Sequence, residues 1–356
     1  MVNRNISKKV ISVGPDFNPP LGGIAQVLSY YNSDVFDEFN VIVNSCPGSK
    51  LRKLYCALSA FWLLFWKLLA SSDLSIVHIH TASNVSFRRS VLFMKLAKLM
   101  RRQVIMHIHA GSFKTYYEAN RDFVKSNLMK CDRILALSPV WKAFFTQEIG
   151  LKHVDVISNL VPFPTLERIK TDPQKKIEAL FLGTIKEEKG IFDLLDVLAA
   201  HREQLQGHFL LHVCGDGEVD RFLRQVKDNR LEDIVTFEGW VIQEQKVRLL
   251  NQCNLQILPS YIEGVPICLL EAMSYGQSII STRIGGIPSI VEDQVNGILI
   301  DPGDKEALWN AIEQHLSHRE LLGKFATKSQ QVVKNYYPDC VAQQLESVYK
   351  QLLAKQ

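Results

Sequence analysis

The stretch "CNLQILPSYIEGVPICLLEAMSYGQSIIST", Cys253 to Thr282, holds one complete structural unit. Leu255–Leu258 is a short β-rich run and reads as a strand. Pro266 fits the first position of a helix, where its missing N–H is no loss. Gly276 fits the end of that helix, and the β-rich run Ile279–Ser281 follows. Strand, helix and strand in this order build a parallel α/β sheet. Ligands of such sheets bind beyond the carboxyl ends of the strands. Glu263 falls in the loop at that edge, and Glu271 on the second turn of the helix. The two acids do not share one long helix, but both can reach an extended ligand. Read alone, two such glutamates are ordinary solvated charges.

The same alternation runs along the whole chain. In the first half strands are expected at Val10–Val13, Val41–Val43, Ile76–His80, Val104–His107, Ile134–Leu137 and Val154–Ile157. In the second half they recur at Ala179–Phe181, Leu210–Val213, Val235–Phe237, Leu255–Leu258, Ile279–Ser281 and Gly297–Ile300. Helical patterns lie between most of them. In "RRSVLFMKLAKLMRR", Arg88, Lys95, Lys98 and Arg102 share one face at helical spacing. Three prolines and a charged run mark a linker from Leu160 to Lys176. The fold class is α/β, with two Rossmann-like parallel-sheet domains facing a cleft. Residues 1–162 form the first domain and 163–337 the second. Residues 338–356 are a C-terminal helix expected to pack back on the first domain.

At 356 residues the chain has room for two such domains. Hydrophobic residues at 47% are enough for two cores, and a net charge of +4 does not by itself call for nucleic acid. The charge is unevenly placed. From Phe39 to Tyr117 the only acid is Asp73, against eleven Lys and Arg. Such a field favours an anionic partner, a phospholipid surface or a phosphorylated acceptor. The seven cysteines show no CxxC and no disulfide spacing, which reads as reduced thiols in a cytosolic protein. The N-terminus lacks a signal-peptide core. "LYCALSAFWLLFWKLLA", Leu54 to Ala70, is short for a membrane span. It reads either as a largely buried helix or as one lying in the membrane interface, where Trp62, Trp66 and the flanking Arg52 and Lys53 would suit.

Several strand-end loops carry candidate chemistry. "FLGTIKEEKGIFDLL" is a strand, a glycine turn and a helix starting near Gly190, with Lys189 just before it. A lysine at a helix start is an anion site or a solvated surface charge. In "STRIGGIPSIVEDQVNGILIDPGD", Gly285 and Gly286 allow close approach to a phosphate or sugar, or make a tight turn. "PPLGGIAQV" offers Gly22 and Gly23 after the first strand. "VCGDGE" with Gly215, and "FEGW" with Trp240, suit a base and ribose. "HIH" occurs at His78–His80 and His107–His109. HxH on a strand can be a metal pair, but two six-strand halves are not an eight-fold barrel, and no Asp/His ligand series follows. His78 and His107 are read as satisfied core histidines, and His109, at a strand end, as the candidate site residue. No DxD is present, so no metal is expected.

Taken in order, these segments resemble the retaining, nucleotide-sugar-dependent glycosyltransferases of family 4, which have the GT-B fold. The resemblance covers almost the whole chain and is strongest over Ala179–Asp304. "PSYIEGVPICLLEAMSYGQSIIST" is similar to the family's E-x7-E segment, "FLGTIKEEKG" to its glycine–arginine–x–KG segment, and "GGIPSIVEDQVNGILIDPGD" to its glycine-pair region. Gly22–Gly23 and the His-x-Gly of His109–Gly111 resemble its donor-facing loops. The resemblance implies that Glu271 binds the ribose hydroxyls. It implies that Glu263 holds the donor sugar, with Gly264 and Val265 beside it. Lys189 would neutralise the leaving diphosphate, and His109 would touch the transferred sugar. Gly23, Gly285 and Gly286 would offer amides, and Trp240 and Val241 would lie by the base. The family usually has arginine where Thr184 stands. Thr184 can hydrogen-bond a phosphate but not neutralise it, and Lys186 is the candidate substitute. Ser289 also replaces a frequent glutamate.

The implied activity is metal-independent transfer of a hexosyl or N-acetylhexosaminyl group, with retention, to a lipid-linked or saccharide acceptor. A bacterial surface polysaccharide pathway (capsule, O-antigen or exopolysaccharide) is expected, with the protein in the cytoplasm or peripheral at the inner face of the cell membrane. Two other readings stay open: an inactive GT-B partner subunit, favoured by Thr184, and a GT-B nucleotide-sugar epimerase. A metal-dependent hydrolase built on the HxH pairs is a more distant one.

Overall fold

A computed structural model describes residues 1–166 and 176–354. The chain divides into unit 1, Met1–Pro162 with Tyr336–Gln356, and unit 2, Phe163–Asn335. The chain rejoins unit 1 at Tyr336, two residues before the expected 338. There the Tyr336 carbonyl accepts a hydrogen bond from the Val161 amide at 3.1 Å. Most of the expected linker, residues 167–175, lies outside the described residues.

Unit 1 holds β1 (Val10–Pro15), β2 (Val41–Ser45), β3 (Ile76–Thr81), β4 (Gln103–Ile108), β5 (Arg133–Ala136) and β6 (Val154–Val156). They form one parallel sheet in the order β2-β1-β3-β4-β5-β6. Unit 2 holds β7 (Ile177–Leu182), β8 (Phe209–Cys214), β9 (Val235–Gly239), β10 (Leu255–Leu258), β11 (Ser278–Thr282) and β12 (Gly297–Ile300). Its parallel sheet runs β12-β11-β10-β7-β8-β9. All twelve expected strands are present, each end within two residues. They are legible because strands covered on both faces are nearly continuous apolar runs. Strand order reverses beside β1 in one sheet and beside β7 in the other. Such a reversal opens a crevice at the carboxyl ends, where ligands bind.

Two expectations about helices need correction. Helix Asn84–Leu99 stops before Arg102, so Arg102 is not on its face. Arg102 instead donates to the Leu68 and Ser71 carbonyls. Pro266 is the cap before helix Ile267–Ser274 rather than its first residue. Its ψ of 123° is extended, while its carbonyl accepts from the Leu269 and Leu270 amides.

The aromatic segment is longer than expected and is not largely buried. Helix Lys50–Ala70 has 21 residues. Only Ala60, Leu64 and Leu68, one turn apart along a single face, are buried. Leu51, Tyr55, Leu58, Trp62, Trp66 and Leu69 form a solvent-facing stripe on the opposite side, with Trp66 60% exposed. By length and composition the helix could cross a membrane. However, it is the crossover from β2 to β3 within one sheet and is seated on that unit by its buried face. We therefore expect Leu64→Ala to lower stability by roughly 2–5 kcal/mol in urea unfolding, and Trp66→Ala by no more than about 0.5 kcal/mol. Equal losses would show that both faces are packed.

Candidate active site

The site in unit 2 forms where β7 and β10 lie side by side. After β7 the chain passes Gly183 and Thr184 and makes one tight helical turn, Glu187–Lys189. Gly190 then starts helix Ile191–Ala200 with φ +69°. A Cβ at Gly190 would lie 2.0 Å from the Pro259 carbonyl oxygen, so only glycine lets this turn rest on the loop after β10. The Tyr261 amide bonds the Glu188 carbonyl at 2.9 Å and fixes the same contact. Lys189 is thereby set against the loop that carries Glu263.

Lys189 Nζ donates to Glu263 Oε1 at 2.6 Å, and Ser260 Oγ donates to the same oxygen at 2.9 Å. Glu263 is buried and Lys189 half-buried. Burial works against the Lys189 charge, but the adjacent Glu263 carboxylate outweighs it and holds the ammonium above its ordinary range. An ammonium has three donors, and this one commits a single N–H to Glu263. Glu263 Oε2 has no intramolecular partner among the described residues, so it can accept from a hydroxyl or N–H of a ligand.

The glycine pair braces this loop from the other side. Gly285 has φ +52°, and a Cβ there would lie 1.9 Å from the Glu263 carbonyl oxygen. The Gly286 amide bonds the Gly264 carbonyl at 2.6 Å. This corrects the expectation that both glycines offer amides to a donor: Gly286 has used its N–H to hold the Glu263 loop. The Gly215 amide is likewise taken, by the Gly239 carbonyl at 2.8 Å. Val265 and Val241 are buried, so their side chains pack inward, whereas Trp240 is 48% exposed. Lys186 is exposed and pairs with no carboxylate among the described residues. Thr184 is half-buried at the β7 end.

Glu271 is buried on its helix, and its Oε1 accepts from Lys246 Nζ at 2.7 Å. Lys246 comes from helix Gln243–Gln252 and was not anticipated. Nothing in its local sequence marks it, because the pairing joins two helices rather than one motif. Unit 2 thus presents two carboxylates, each held by a lysine.

Unit 1 carries the remaining candidates. Gly22 caps helix Gly23–Tyr30 with φ +105°. A Cβ on Gly22 or Gly23 would meet nothing within 4 Å, so packing does not demand glycine at Gly23. His109 follows β4 and is half-buried. Its Nδ1 pairs with Asn159 Oδ1 at 3.3 Å and its Nε2 with His80 Nδ1 at 3.1 Å. Burial pulls the ring down to about 4, against the opposing effect of Asn159, so it is neutral near pH 7. His78 and His107 were expected to be satisfied in the core. They are fully buried, but each has one ring nitrogen without a partner.

Residues 163–332 match the family model described as glycosyl transferases group 1. A Klebsiella pneumoniae protein described as an uncharacterized 41.2 kDa protein in the cps region is 25% identical over 83% of this chain and 88% of its own length. The lipopolysaccharide 1,6-galactosyltransferase of Escherichia coli K12 is 31% identical over 53% of this chain and 55% of its own length. Among solved structures, Anabaena HepE in complex with UDP and glucose superposes with a TM-score of 0.76 at 17% identity, covering 96% of this chain and 99% of that one. The fold is GT-B. Together these findings support a glycosyltransferase of the GT-B type, with relatives in bacterial polysaccharide synthesis.

The Lys189–Glu263 pair generates a stability test. Lys189→Met leaves Glu263 buried without its cation and should destabilise unit 2 by roughly 3 kcal/mol, while Lys189→Met/Glu263→Gln together should recover much of that loss. Additive losses in denaturant unfolding would mean that the two side chains are not coupled.

Proposed function

We propose that this protein transfers a sugar from a nucleotide-sugar donor to a lipid-linked or saccharide acceptor, with retention of configuration. The setting is bacterial surface polysaccharide synthesis at the inner face of the cell membrane. The observation that carries this reading is the lysine-held pair of carboxylates at the β7–β10 reversal. Lys189 keeps two N–H donors for a phosphate oxygen beyond the one given to Glu263. Breaking the sugar–phosphate bond builds negative charge on the leaving diphosphate, and a cation fixed beforehand stabilises it without reorganising. Transfer in this reading needs no metal ion at the diphosphate. Glu263 Oε2 holds a donor-sugar hydroxyl, and Glu271 takes the ribose hydroxyls. Trp240 offers an exposed aromatic face to the base. A uridine diphosphate donor is supported by the structural likeness to HepE, which was solved with UDP and glucose.

The acceptor side rests on the exposed stripe of helix Lys50–Ala70. Trp62 and Trp66 at its centre, with Lys50, Arg52 and Lys53 at one end, suit the interface of an anionic bilayer. A lipid-linked acceptor is held at that surface.

Lys189→Ala and Glu271→Ala should each lower transfer by at least about tenfold, or ~1.4 kcal/mol of barrier. Turnover unchanged in both would remove the site assignment. NMR of the product should show the anomeric configuration of the donor; inversion would refute retention, and conversion of the nucleotide sugar without acceptor would favour an epimerase. In flotation with anionic vesicles the protein should co-migrate at low salt, and Trp62→Ser/Trp66→Ser should release it. Wild-type protein left wholly in the soluble fraction would exclude the membrane contact.

A further inference from the structure

His78 and His80 alternate on β3, so both side chains leave the same face of the sheet. His107 lies on β4 directly opposite His80 in the parallel register. His109 continues the ladder, with its amide on the Thr81 carbonyl at 2.9 Å. Four imidazoles therefore gather on one face of unit 1. One ring nitrogen each from His78, His80 and His107 lies within 4.8 Å of those of the other two. All three residues are fully buried.

The hydrogen bonds fix where the protons are. Asn159 Oδ1 can only accept, so a singly protonated His109 ring carries that proton on Nδ1. His109 Nε2 is then an acceptor, and His80 must donate to it from Nδ1. His80 Nε2 is left as a bare lone pair. His107 donates from Nε2 to the Ile157 carbonyl at 3.1 Å, which leaves its Nδ1 bare. The Tyr349 hydroxyl, 2.8 Å from His78 Nδ1, can accept from it and leave Nε2 bare as well. The three nitrogens without a partner are those same atoms: His78 Nε2, His80 Nε2 and His107 Nδ1. Even if His78 keeps its proton on Nε2, one proton cannot serve two facing lone pairs.

A bound cation removes this conflict. A metal-ligating histidine commonly donates its other ring N–H to an oxygen or a further partner that orients it. Here the second nitrogens already meet Tyr349, His109 and the Ile157 carbonyl. Nitrogens around tetrahedral zinc stand about 3.4 Å apart, so binding requires the three rings, which lie at 14°, 28° and 39° to one another, to turn toward a common point, and they supply three of the four ligands. No carboxylate or thiol joins this group among the described residues. An all-imidazole set selects a borderline divalent ion and disfavours Ca2+ and Mg2+. We propose that His78, His80 and His107 form a structural site for a zinc-like divalent cation inside unit 1. The site is separate from the unit 2 carboxylates and stands whether or not the chain transfers sugar.

The test uses full-length protein purified without a metal-affinity tag. Elemental analysis after equilibration with Zn2+ and dialysis should find about one ion per chain. Co2+ added to chelator-treated protein should give the intense visible bands of a tetrahedral site. Zn2+ should raise the melting temperature, while Mg2+ should not. His78→Phe/His107→Asn, checked for folding by circular dichroism, should lower the bound ion about tenfold. Should that variant not fold, the wild-type measurements decide. An ion content below about half per chain in folded wild-type protein would overturn the proposal. So would undiminished binding by the folded variant, which would place the ion elsewhere.

Discussion

The ion pair between Lys189 and Glu263 is the constraint on which the unit 2 site depends. Two charges withdrawn from water are tolerable only when they meet with good geometry. Meeting at 2.6 Å requires the turn after β7 and the loop after β10 to rest on one another. That in turn requires glycine at Gly190, under the Pro259 carbonyl, and at Gly285, under the Glu263 carbonyl. The pair and its two glycines therefore act together. The charges demand the contact, and the missing side chains permit it. Lys246 and Glu271 repeat the arrangement between two helices. In the proposed transfer the donor meets carboxylates already oriented by their lysines, so little reorganisation is left for the moment of reaction.

Unit 1 solves a different problem. Its sheet buries histidines where unit 2 pairs charges, and it leaves an apolar stripe in solvent where unit 2 has none of that length among the described residues. A stripe of leucines and tryptophans opposite the packed face of one helix gives nothing to the stability of the unit that carries it. Its composition makes physical sense as a surface completed by something apolar outside the chain.

How far the sequence could be read follows from what each signal measures. The twelve strands were visible because a strand covered on both faces must be apolar along its length. Glu263, Glu271 and Lys189 were visible because each sits at a fixed offset from a strand end. Sequence left helix Lys50–Ala70 between a buried and an interfacial reading because hydropathy records that a helix is apolar, not which neighbour covers it. Lys246 was missed because its partner is a helix away. The Gly286 amide was misassigned because a glycine that touches backbone and a glycine that touches ligand look alike in sequence. The two HIH triplets gave the buried residues but not their protonation, which only the positions of Asn159, Ile157 and Tyr349 define.

The return of the chain to unit 1 bears on synthesis. His78 and Tyr349 are bonded across 271 positions of sequence, and Gln103 reaches the Leu352 carbonyl across 249. Unit 2 lies wholly between these partners and can close its own sheet as it leaves the ribosome. Residues 1–162 emerge before unit 2 yet must wait for helix Pro338–Leu353 to cover their histidine face. During translation the earlier-made unit is thus the later one to finish. The interval leaves an incomplete sheet carrying an apolar helix, the kind of nascent surface that chaperones bind.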